Sequence, residues 1–189
     1  MTASSTNVGV RAVPSPTRRR LTAGMGASLV IAVDLSAKAW AVSALQDRVV
    51  GLGPVDLRLA YNPGVAFSVA AGAPAWLVVT LTAVIAAAVG VVAWRAATGA
   101  PRGQLAALAL ILGGAIAIVV DRAGDGVVTD YLHTGWWPTF NLADTAIVAG
   151  AALMVLTTLR HPTTSPSSED GAVTRDSGLG PGGAIGGHG

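Results

Sequence analysis

The stretch FNLADTAIVAGAALMVLTTL, residues 140–159, has the composition of a membrane-crossing helix except for Asp144 near its start. A charged side chain in the hydrocarbon region costs roughly 2.5–3.5 kcal/mol on insertion scales, so an acid in such a segment faces a polar interior and marks function. Asn141 lies three residues ahead of Asp144, which on a helix puts the two on one face. Upstream, DRAGDGVVTDYLH supplies Asp121, Asp125 and Asp130. Asp125, between two glycines, reads as a solvated turn residue. Asp121 reads as structural beside Arg122, whose guanidinium fork can bond carboxylates and carbonyls at a helix end. Asp130 differs, because Val127 and Val128 would carry it back toward the apolar body, where it can meet Asp144. Two carboxylates within a few ångströms repel one another and are desolvated together, so one pKa rises and the pair shares a proton near neutral pH. One member can then take a proton from water while the other donates one to a carbonyl oxygen, which is aspartic-protease chemistry. A cation or proton path would use the same acids, and the residues by themselves leave both readings open.

Other chemistries lack their residues. The chain has no cysteine, which excludes disulfides, thiol nucleophiles and thiolate metal sites. His133, His161 and His188 are isolated, so no metal-ligand cluster of tight spacing forms. Ser68 has no strand-Ser-helix elbow around it and no evident base. The net charge of +2 is small and the arginines flank apolar runs instead of forming a stripe, so nucleic acid is not an expected partner.

The elements that must position the acids are helices in a bilayer. Of the 189 residues 52% are hydrophobic and 12% charged, against about 25% charged in a soluble domain. Four apolar runs, Leu21–Leu45, Pro74–Trp94, Gln104–Val120 and Phe140–Leu159, each approach the ~20 residues that cross a bilayer. A mostly α, integral membrane protein of four transmembrane helices is expected over residues 18–161. Residues 1–17 and 162–189, rich in Ser, Thr, Pro and Gly, read as disordered tails. Between the first two runs, RVVGLGPVDLRLAYNPGVAFS combines β-branched residues with turn formers and predicts a small β-rich cap. Arg18–Arg20, Arg95 with Arg102, and Arg160 fall on one side of the bundle, which the positive-inside rule makes cytoplasmic. Both termini then lie inside, and residues 46–73 and 121–139 outside. Asp34 and Lys38, four apart and able to pair, interrupt the first run where a cleaved signal peptide would stay apolar, so that run reads as an anchor.

The ordered set VDLSAKAW, YNPGVAFS, GGAIAIVVDRAGDGVVTD and FNLADTAIVAG, from about Val33 to Gly150, closely resembles the lipoprotein signal peptidase (signal peptidase II) family. The resemblance implies an intramembrane aspartyl endopeptidase that removes signal peptides from diacylglyceryl-modified prolipoproteins just before the lipid-modified cysteine. It implies Asp130 and Asp144 as catalytic pair and Asn141 as their polar neighbour. Asn62, Gly64, Ala66 and Phe67 would form an outer loop motif, with Asp34, Lys38, Asp121 and Arg122 in support. It further implies that no metal or organic cofactor is needed and that substrate enters laterally from the outer leaflet. A monomer among membrane lipids of the bacterial cell membrane is expected. Two departures stand out: Ala117-Ile118 replaces the family's usual Gly-Asn, and the connection from Asp130 to Asp144 is short. An Asn at position 118 would have reached the polar cluster around Asp121, so another group is expected to take its place. Trp136 and Trp137 in the short connection suit interfacial anchors.

Overall fold

The structure, a computed structural model, describes residues 15–64 and 74–160. Its first helix, α1 (Pro16–Ala44), starts at a proline whose fixed φ suits a first turn, behind Ser15, whose Oγ accepts the Arg18 N–H. The helix therefore begins two residues before the boundary set by the arginine cluster. Strands β1 (Val50–Gly51) and β2 (Asp56–Asn62) follow, then α2 (Ala75–Ala96), α3 (Arg102–Asp125), β3 (Val128–His133) and α4 (Leu142–Arg160). All four helices are long and apolar enough to cross a membrane. Leu21, Met25, Val84, Val148 and Leu159 project outward from them, as lipid-facing side chains must.

Helix α3 is the hub of the bundle, packing against α1, α2 and α4, while α1 and α2 scarcely meet. Because lipid tails are as apolar as the side chains, membrane helices associate through close contact at small residues. A Cβ built on Gly114 would stand 2.5 Å from the Ala143 carbonyl oxygen of α4, and one on Gly113 2.8 Å from that of Ala27 in α1. These two neighbours thus bring α3 against the two helices that carry Asp144 and Asp34.

The predicted β-rich cap is a three-stranded antiparallel sheet in the order β1-β2-β3. Its β2–β3 register sets Ala60 opposite Asp130 and Asn62 opposite Val128, with an irregularity between Leu57 and Ala60. The sheet rests on the end of α1 through Ala41, Leu45 and Tyr131, joined by Leu57, Leu59 and Leu132. Beyond β3 the chain doubles back so that Phe140 pairs with Leu132, exchanging both backbone hydrogen bonds. That return places residue 141 beside residue 130. At the bend Trp136 is 81% exposed and stacks edge-on against Trp137, in keeping with interfacial anchoring.

Candidate active site

Asp130 sits on a fully buried part of β3 and is 2% exposed. Residues two apart on a strand share a face, and Asn62 lies diagonally across from Asp130 on the neighbouring strand. Its Nδ2 donates to Asp130 Oδ2 at 3.2 Å, while its Oδ1 accepts the Gly64 N–H at 2.9 Å. From the other side Asn141 Nδ2 donates to Asp130 Oδ1 at 2.7 Å. Each carboxylate oxygen thus holds one side-chain amide. Both amides are fixed in orientation, because a backbone N–H in each case claims the amide oxygen.

Asn141 does more than the shared helical face anticipated. It is not in the helix but caps it: its Oδ1 accepts the Asp144 N–H at 3.0 Å, and Asp144 Oδ2 accepts the Asn141 N–H at 3.2 Å. This is a reciprocal capping box, with Asp144 in the first turn of α4, where the helix dipole favours an anion. Asp144 is tolerated in an apolar segment because it stands at the segment's end and satisfies that end. One fully buried residue, Asn141, bonds both carboxylates, that of Asp130 through its side-chain amide and that of Asp144 through its backbone N–H.

A second polar network holds the two acid-bearing elements. Asp34 Oδ1 accepts the Ala143 N–H at 2.8 Å, so α1 caps α4 alongside Asn141. Lys38 Nζ lies 2.8 Å from Asp34 Oδ2 and 3.0 Å from Asp121 Oδ2. Asp121 also accepts the Thr129 N–H at 2.8 Å and faces its hydroxyl at 3.4 Å, one residue from Asp130. The expected Asp34–Lys38 pair is present, and Asp121 extends it to a triad. Asp121 finds its partners in Lys38 and Thr129, which serve it without an amide at position 118. Arg122 turns instead toward the sheet, its Nη2 3.5 Å from the Asn62 carbonyl oxygen. Its Nη1 comes within 2.6 Å of where a Gly64 Cβ would stand, and Gly64 has φ +96°, so only glycine fits that turn. Asp125 is exposed and accepts the Val127 N–H in the turn after α3. Ala66 and Phe67 fall in 65–73, outside the described residues. Thr129 was not singled out from sequence, and its only signal was adjacency to Asp130.

Burial is the chief reason that Asp130 is pushed from 3.8 up to about 6. The Asn141 and Asn62 amides oppose this by favouring the ionised form, the nearby Asp144 charge raises it further, and Lys38 lowers it slightly. A carboxyl that keeps its proton to about pH 6, beside a second acid at a helix terminus, can divide acid and base roles.

Residues 27–160 match the family described as Signal peptidase (SPase) II. The chain is 43% identical over 158 residues to a lipoprotein signal peptidase of Rhodococcus jostii (strain RHA1), covering 78% of each chain. It is 34% identical over 134 residues to a lipoprotein signal peptidase of Syntrophomonas wolfei, covering 69% of this chain and 88% of that one. Among solved structures it superposes with a TM-score of 0.64 on a bacterial membrane enzyme determined by the in meso method at 2.3 Å. That likeness, at 20% identity, covers 78% of this chain and 93% of the other and concerns the fold.

Proposed function

Since this chain belongs to the signal peptidase II family, aspartic peptidases that cleave signal peptides from prolipoproteins, we propose that Asp130 and Asp144 are its catalytic pair. The observation that carries this assignment is the Asn141 side chain, which binds Asp130 and caps the turn bearing Asp144. Asp130, with its raised pKa, holds the shared proton and donates it to the scissile carbonyl oxygen. Asp144 takes a proton from the water that attacks the carbonyl carbon, giving a tetrahedral intermediate. Asn62 and Asn141 orient Asp130, Gly64 and Arg122 hold the Asn62 turn, and Asp34, Lys38 and Asp121 fix α4 against β3. Ala66 and Phe67 belong to the segment that would cover the substrate.

The substrate in this reading is a prolipoprotein whose cysteine already carries diacylglycerol, entering laterally with its acyl chains in lipid and its peptide bond at the acids. Nothing in the site favours the ion-path reading of the same residues. The purified protein should cut a lipidated prolipoprotein just before the modified cysteine and leave the unlipidated form intact. Equal cleavage of the two would remove the lipid from the recognition, and no cleavage of either would mark an inactive member.

The protonation assignment fixes the sign of the pH dependence. A raised pKa keeps Asp130 protonated below about pH 6, and its donor function is lost as pH climbs through that value. The kcat/KM is therefore expected to fall on the alkaline side, by about tenfold per pH unit once Asp130 is mostly ionised. Asn62→Ala removes an amide that favours the carboxylate, so the alkaline limb should move to higher pH. A limb that stays in place, or moves down, contradicts the assignment.

Both termini are placed in the cytoplasm and the sheet and acids at the outer face, as the arginine distribution requires. Because the chain has no cysteine, single Trp136→Cys and Ser165→Cys variants test this. An impermeant thiol reagent should label the first in intact cells and leave the second unlabelled. The reverse pattern inverts the topology.

A further inference from the structure

The end of the bundle away from the acids carries a constellation that peptide cleavage does not use. Arg18, Arg19 and Arg20 occupy the start of α1, with no acidic residue in its first turn. A helix N-terminus already bears about half a positive charge, so cations there call for anions from outside. Among the described residues the salt bridges are those of Lys38, in the other network. Arg19 is engaged, its Nη2 donating to the Ala100 carbonyl in the α2–α3 connection. The Arg20 guanidinium lies 4.0 Å from the centre of the Trp94 ring, and its Nε is buried without an acceptor among the described residues.

From this corner a groove of about 860 Å³ runs along α1, open on the outside of the bundle and lined by residues that include Arg20, Leu21, Gly24, Met25, Leu29 and Trp94. It exists because α1 and α2 each pack on α3 and hardly on one another. A Cβ added to Gly24 would meet nothing within 4 Å, so the groove is empty of protein there. Its volume falls in the range of ligand sites, roughly 300–1,000 Å³. One end is cationic and the remainder, apart from the Ser28 and Thr17 side chains, is apolar, which is the chemistry of an anionic amphiphile. An extended peptide laid along the same wall would leave backbone groups unsatisfied in hydrocarbon.

We propose that this groove binds an anionic phospholipid of the surrounding bilayer, its phosphate on Arg20 and the first turn of α1 and an acyl chain along Gly24 to Leu29. The full chain, reconstituted in phosphatidylcholine vesicles, is titrated with phosphatidylglycerol brominated on its acyl chains, or with brominated phosphatidylcholine. Bromine quenches tryptophan on contact, and the Trp94 share is obtained by subtracting the signal of Trp94→Phe, which keeps an aromatic face for Arg20. Half-quenching of Trp94 is expected at about fivefold lower mole fraction of the anionic lipid, the scale of one arginine–headgroup contact. Gly24→Leu fills the groove, keeps every arginine and suits a helix better than glycine, and it should abolish the preference. Arg95→Gln, at an exposed arginine outside the groove, should leave the preference in place. Equal quenching by the two lipids, a preference that survives Gly24→Leu, or one lost equally in Arg95→Gln overturns the proposal in favour of diffuse surface charge. Displacement of the anionic lipid by inorganic phosphate alone overturns the acyl-chain half of it.

Discussion

Replacing Asp144 by Asn should lower kcat/KM for a lipidated prolipoprotein by at least about 10³-fold, or about 4 kcal/mol of barrier, and leave the fold intact. The reason lies in what the side chain does twice. Its Oδ2 accepts the Asn141 N–H and closes the capping box, and an asparagine oxygen can accept the same bond. What asparagine cannot do is take a proton from water. Asp130→Asn should be equally inactive but less stable, because both oxygens of Asp130 accept amide N–H groups. An asparagine there turns its own NH₂ toward one of those donors, and a buried polar group left unpaired costs about 1–3 kcal/mol. Cleavage assays on the two purified variants, beside their thermal unfolding in detergent, separate the two effects. Near-native cleavage by Asp144→Asn would refute the catalytic pair.

Lys38→Met should destabilise the protein by about 3–5 kcal/mol, the range for removing one partner of a buried ion pair. The side chain is 4% exposed and its ammonium lies between Asp34 and Asp121. Without it the buried Asp34 carboxylate and the half-buried Asp121 carboxylate face each other with nothing between them, one anchoring the first turn of α4 and the other β3 through Thr129. Activity should fall with stability, since the network sets the position of Asp144 against Asp130. Adding Asp121→Asn to Lys38→Met should recover part of the lost stability, because one of the stranded charges is then gone. A single variant that melts with the wild type would show that the network carries no such strain.

The spans were legible in the sequence because a bilayer imposes one strong requirement, about twenty apolar residues per crossing. The helix ends were less so. Helix α3 runs on through Asp121 and Arg122 to Asp125, and α4 starts at Leu142 instead of Phe140. Hydropathy fades where polar caps begin, although the helix or its cap continues. The acids were legible by type, since a carboxylate beside apolar runs has few bland explanations. Their partners depend on long-range register: Asn62 reaches Asp130 across 68 positions, through a strand pairing that local pattern does not specify. Asp121 looked like a partner for the adjacent Arg122, and the fold gave it to Lys38 and Thr129 on other elements instead.

The capping box has a consequence for how such a molecule loses activity. The first turn of a helix is where unwinding starts, and here that turn and the two acids proposed as the catalytic pair share the same hydrogen bonds. Fraying by a single turn at α4 releases Asn141 from Asp144 and, with it, one of the two amides that hold Asp130. The bundle below, locked by glycines against carbonyls, need not move at all. Heat or a harsh detergent would therefore silence this site while every crossing segment still stands, and a folded, monodisperse preparation is no guarantee of a competent one.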